Sequence, residues 1–112
     1  MTLLEQCQIW NDQNEYQKIV DAIEALPAGS RTPELDSELA RAYNNLAGAE
    51  DRELFEKALS LLKPHEAYFQ DDYFWNFRMG YSYYYLDQEG PALRHSERAL
   101  AARPGDRDTL DF

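Results

Sequence analysis

Cysteine is nearly missing: Cys7 is the only one in 112 residues. One thiol forms no internal disulfide, which fits a reducing cytoplasm as the expected location. Long apolar runs are missing too, and nothing approaches the roughly eighteen consecutive apolar residues that a membrane-spanning helix needs. The opening MTLLEQCQIWNDQNEY has no basic start and no cleavable apolar core, so no signal peptide is expected. Basic residues are scarce. Eleven Lys and Arg stand against 21 Asp and Glu, a net charge of −10. Such a surface repels phosphate backbones and anionic lipid, which argues against nucleic acid or a membrane as direct ligand. A basic or mixed-charge peptide would be attracted, although the same acidity also serves plain solubility.

Catalytic constellations are absent as well. His65 and His95 lie at metal-ligand spacing neither to each other nor to Cys7, and each reads as a solvated residue on a charged helix. Cys7 has no basic neighbour to lower its pKa and reads as a small buried hydrophobe. There is no glycine-rich phosphate loop, nucleophile elbow or His-Glu-x-x-His. The pairs Asp71-Asp72 and Glu50-Asp51 stand just ahead of helical periods, where capping explains them. The chain is therefore expected to be no enzyme and to need neither cofactor nor metal.

Aromatics are what the chain has in excess. Ten of its fifteen fall between Tyr68 and Tyr85. With Asp72 as cap and Tyr73 as the start, helical spacing sorts them into two stripes. One holds Trp75, Met79, Ser82, Tyr83 and Leu86, with Gly80 beside it. The other holds Phe74, Phe77, Tyr81, Tyr84 and Tyr85. A small domain buries one such stripe; the second is either core between stacked helices or a binding surface.

The rest of the chain reads as helix throughout. Leu3, Leu4, Cys7 and Trp10 share one side of a first helix, which ends at the turn Asn11-Asp12-Gln13-Asn14. Tyr16, Ile19, Val20, Ile23 and Leu26 give the cleanest period, closed by Pro27 and Gly29. Pro33 opens a third helix through Leu35, Leu39, Ala42, Tyr43 and Leu46. Leu54, Phe55, Ala58, Leu59 and Leu62 define a fourth, closed by Lys63-Pro64, and the connector from His65 to Asp71 has room for a turn of helix. After Asp87-Gln88-Glu89-Gly90, Pro91 suits the first position of a last helix carrying Ala92, Leu93, Ala99 and Leu100. No segment alternates as a half-buried strand does, so the expected fold is all-α, a single domain over 1–112. Its helices fall into pairs at about 2–27, 33–64 and 72–104. Thr109, Leu110 and Phe112 look like the start of a further helix over 106–112.

The pairs repeat. Ala22 then Pro27, Ala58 then Pro64, and Ala99 then Pro104 end the second helices alike, while Ala40 and Tyr43 match Gly80 and Tyr83. Gly80, Tyr83, Ala92, Ala99 and Pro104 keep a spacing that resembles the tetratricopeptide repeat, and Phe55 fills that pattern's large aromatic position in the second pair. Met79 replaces the pattern's leucine, Ser96 its aromatic, and the first pair matches only in its second helix. The resemblance implies stacked antiparallel helix pairs, an α-solenoid, with first helices lining a concave groove. It further implies a protein or peptide partner met by Glu34, Ser37, Arg41, Asn44, Asn45, Phe74, Phe77, Arg78, Tyr81, Tyr84 and Tyr85. Some members grip a C-terminal carboxylate with Lys, Asn and Arg; here Phe74 stands where a lysine should be, so that clamp is not expected. Taken singly, Arg41 and Arg78 read as surface ion pairs, Arg41 with Glu38. The alternative role is structural, as the N-terminal stack of a longer protein or a self-associating unit.

Overall fold

The computed structural model describes residues 1–103. Among them it contains helices α1 (Leu3–Asp12), α2 (Tyr16–Glu24), α3 (Pro33–Leu46), α4 (Arg52–Leu62), α5 (Glu66–Phe69), α6 (Tyr73–Tyr85) and α7 (Glu89–Ala102), with no strand. The all-α expectation holds. Pro104 and the further helix expected over 106–112 lie outside the described residues.

Local chemistry explains most helix ends. Thr2 and Glu5 form a reciprocal capping box on α1, each side chain taking the other's backbone N–H at 3.1 and 3.0 Å. Thr32 caps α3 by accepting from Leu35 N–H at 3.2 Å, with Pro33 at the first position, where its missing N–H costs nothing. Asp72 caps α6 through Trp75 N–H at 2.9 Å. Asp51 precedes α4 but its side chain makes no capping bond. Asn14 (φ 60°) and Asp87 (φ 62°) turn left-handed after α1 and α6. The next N–H groups, of Glu15 and Gln88, then close back on Trp10 and Tyr83 carbonyls at 2.8 and 2.9 Å.

Helix α4 ends at Leu62, just ahead of Lys63-Pro64 as expected, and a 3-10 turn, Lys63–His65, then leads into α5. Two local expectations need correction. Helix α7 begins at Glu89, so Pro91 is its third residue and Gly90 lies inside its first turn. Leu93 is not core but 60% exposed.

Neighbours in sequence pack together, α1 on α2, α3 on α4 and α6 on α7; α3 also touches α1, α2 and α6, and α4 touches α6. The core lies between them, with Ile19, Ile23, Leu39, Phe55, Leu62 and Trp75 wholly inside. A side chain of this size contributes about 1.5–3 kcal/mol on burial. Trp75 adds a polar tie: its indole N–H donates to the Leu62 carbonyl at 2.9 Å. That carbonyl is spare because the Glu66 N–H bonds to Lys63 instead. The short α5 turn is pinned from both sides. His65 Nε2 meets Asp36 at 2.8 Å and Tyr68 donates to Glu34 at 2.7 Å, both on α3. Arg98 of α7 donates to the Gln70 carbonyl at 2.7 Å.

Candidate interaction face

Helix α6 sorts its aromatics by depth. Trp75, Met79, Ser82, Tyr83 and Leu86 are buried, as the first stripe requires, and Gly80 with them. The second stripe divides. Phe74 and Tyr84 are 47% and 45% exposed, while Phe77, Tyr81 and Tyr85 are half-buried. The reason lies on α4: Tyr85 stacks parallel on buried Phe55 with centroids 5.1 Å apart, and Tyr81 leans on the same ring at 6.2 Å. The rings also touch each other in sequence along the helix. Phe74 meets Tyr73 (5.2 Å), Tyr73 meets Phe77 (5.9 Å), and Phe77 meets Tyr81 (6.4 Å). Tyr81 then meets Tyr85 (4.9 Å) and Tyr85 meets Tyr84 (5.2 Å). The outcome is one continuous aromatic row, anchored in the middle and exposed at both ends.

Beside that row runs a polar seam between α3 and α6. Arg78 is only 8% exposed. It donates to Ser37 Oγ at 2.6 Å and to Glu38 at 3.5 Å, and its guanidinium lies 5.6 Å from the Phe74 ring. Arg41 pairs with the same Glu38 carboxylate. Burial pulls the Arg78 pKa down to about 10, opposed by Glu38, so the group stays charged near neutrality. Asn44 is buried too: its Nδ2 donates to the Arg78 carbonyl at 3.4 Å, and its Oδ1 accepts from Ser82 at 2.8 Å. Arg78 and Asn44 therefore serve helix–helix packing rather than an open surface. Asn45 is exposed and Arg41 half-buried. Cys7 is fully buried, and burial, then Glu38, pushes its thiol up to about 11; it is no ready nucleophile at neutral pH.

The histidines differ from their reading as solvated surface. His65 is paired with Asp36. His95 is 5% exposed, stacked on Tyr83 (5.8 Å) and edge-on to Trp75 (5.4 Å). Its Nδ1 lies 2.9 Å from Asn76 Oδ1. Asn76 spends its amide hydrogens on the Gln70 and Asp72 carbonyls at 2.8 and 2.9 Å, so its oxygen must accept and His95 Nδ1 must donate. Burial, with Arg98 and Arg94 adding, holds the His95 pKa down to about 4. Helical period alone gave no sign of this buried pair, since both residues are polar.

One depression lies just before α6 and another at its end, the second touching the row at Tyr84 and Tyr85. At the start of α6 the lining includes Glu34, Tyr68, Asp71 and Asp72. At its end it includes Glu50, Arg52, Tyr84, Asp87 and Glu89. Arg52 is spent on the Leu86 carbonyl (3.4 Å) and Asp87 (3.6 Å). At the start of the row Arg103 spreads over the Tyr73 and Phe74 rings, 4.3 and 4.6 Å from their centroids. Among the described residues no His, Cys, Asp and Glu cluster is arranged to hold a metal, and no helix is long and apolar enough to cross a membrane. No protein-family model matches the chain, and no curated protein or solved structure matches it either.

Proposed function

We propose that this chain is a non-catalytic interaction module of tetratricopeptide type that takes a peptide or protein segment along the aromatic face of α6. The observation that carries the reading is the ring row, held rigid at Tyr81 and Tyr85 by Phe55 yet exposed at Phe74 and Tyr84. Rigid aromatic area contributes binding energy with little entropy to lose. The repeat residues support the scaffold half of the reading. Ala40, Ala58 and Ala99 are wholly buried, and Tyr43, Phe55, Tyr83 and Ala92 nearly so. Gly80 is buried as well. Those depths suit small residues at helix crossings and a tyrosine filling the space between paired helices. The non-catalytic half draws on chemistry already committed: His65, His95 and Cys7 are tied into packing.

The test is a random-peptide selection on the full chain, counter-screened with the double variant Phe74→Ala/Tyr84→Ala. Recovered peptides should bind the variant at least about tenfold more weakly, a loss of about 1.4 kcal/mol, with its melting temperature nearly unchanged. Peptides that bind both equally would overturn the proposal. One observation favours a second, structural reading: Leu93, on α7, is 60% exposed and would suit a following helix or another copy. Light scattering separates the two, since a monomer at all concentrations counts against self-association.

A further inference from the structure

We propose that the segment taken by this face is basic: an extended peptide with two arginine or lysine side chains about six residues apart and apolar side chains between them, a spacing that follows from an extended rise of about 3.3 Å per residue. The inference rests on the peptide-binding reading above and adds the partner's chemistry. The depressions before and after α6 each combine an exposed aromatic with carboxylates. Glu34, Asp71 and Asp72 line the first depression beside Tyr68, and among the described residues no Lys or Arg joins that lining. Glu50, Asp87 and Glu89 line the second beside Tyr84, where Arg52 is already bonded to Asp87 and a carbonyl. Between them, Arg41 and Arg78 are both spent on Glu38 and Arg103 lies over the Tyr73 and Phe74 rings, so the positive charge along the middle of the face is already engaged.

The row shows that its rings accept a guanidinium, because Arg103 lies 4.3 and 4.6 Å from the Tyr73 and Phe74 centroids. A cation over a ring and next to carboxylates gains from both. Helix α6 has 13 residues, so the two depressions stand roughly 20 Å apart at 1.5 Å per residue. Roughly six residues of extended chain cover that distance. Other occupants fit the charge less well. A second copy brings a net −10. The chain's own residues 104–112 carry Asp106, Asp108 and Asp111 against Arg107 alone.

The experiment titrates the full chain with labelled synthetic peptides of equal length, read by fluorescence anisotropy. One carries two arginines about six residues apart with leucine and tyrosine between; the second has the same composition with the arginines adjacent; the third has glutamates for arginines. The spaced arginine peptide should bind about tenfold or more tightly than the glutamate peptide, more tightly than the adjacent one, and more weakly as salt rises. The double variant Glu50→Gln/Glu89→Gln should weaken the spaced arginine peptide severalfold and narrow its advantage over the glutamate peptide. Equal affinity for the arginine and glutamate peptides would overturn the proposal while peptide binding itself stands. If no peptide of any charge depends on Phe74 and Tyr84, the underlying reading fails instead. Binding that appears only after Leu110→Ser/Phe112→Ser would assign the face to the chain's own tail. Mass that doubles with concentration would assign it to a second copy. Either result overturns the basic peptide.

Discussion

Glu38 holds two arginines at once, Arg41 from its own helix and Arg78 from α6. Arg78 has almost no water to fall back on, so removing the carboxylate strands a buried charge, which typically costs about 3–5 kcal/mol. Glu38→Ala should lower the urea midpoint accordingly, and adding Arg78→Met should recover much of the loss; no recovery would mean that the charge was not the cause. His95 gives a pH signature. Its pKa falls from an ordinary 6.5 to about 4 in the folded chain, so between those values the unfolded chain binds a proton that the folded one refuses. Its stabilisation is therefore complete above about pH 6.5 and is lost as pH falls toward about 4, at about 1.4 kcal/mol per unit for one proton. Urea midpoints at pH 7.5 and 4.5 should differ more in the parent than in His95→Phe by roughly 2–3 kcal/mol. An equal pH response in both proteins would refute the assignment. Neither Arg78 nor His95 was legible as a buried group in the sequence, because a polar side chain disappears into a core only when a distant helix supplies its partner.

At the scale of the element, glycine placement separates strain from opportunity. Gly80 is buried within α6; Gly80→Leu adds four carbons to a packed crossing and should destabilise by about 1–3 kcal/mol or more, read as a lowered thermal midpoint. Gly90 is the opposite case. It sits in the first turn of α7, and a Cβ there would meet nothing within 4 Å. Gly90→Ala should therefore stabilise by about 0.4–1 kcal/mol, mainly by narrowing the unfolded ensemble. Helix existence was legible throughout, since apolar period, Pro33 and Asp72 each carry a local mechanism. Ends were less so. Pro91 reads as a first helical residue, but proline is tolerated anywhere in the first turn, and the structure starts that helix at Glu89. Exposure on α6 was least legible of all. Period gives a face, but only Phe55, far upstream, decides that Tyr81 and Tyr85 sink while Phe74 and Tyr84 stay out.

At the scale of the molecule, sequential helix pairs place α6 against α3, α4 and α7, which leaves one side of it to carry the ring row. The all-α class was fully legible, because a strand period appears nowhere and the helical one recurs. The candidate face was half legible: its aromatics were named, whereas the withdrawal of Arg78 and Asn44 into the α3–α6 seam was not. The central claim is that this ring row is where a partner segment lies. Amide and aromatic shift mapping of the full chain with a peptide from the selection tests it most directly. The account predicts the largest changes at Phe74, Phe77, Tyr84, Asn45 and Arg41, with Leu93 unmoved. Changes centred on Leu93 with Phe74 and Tyr84 silent would contradict it.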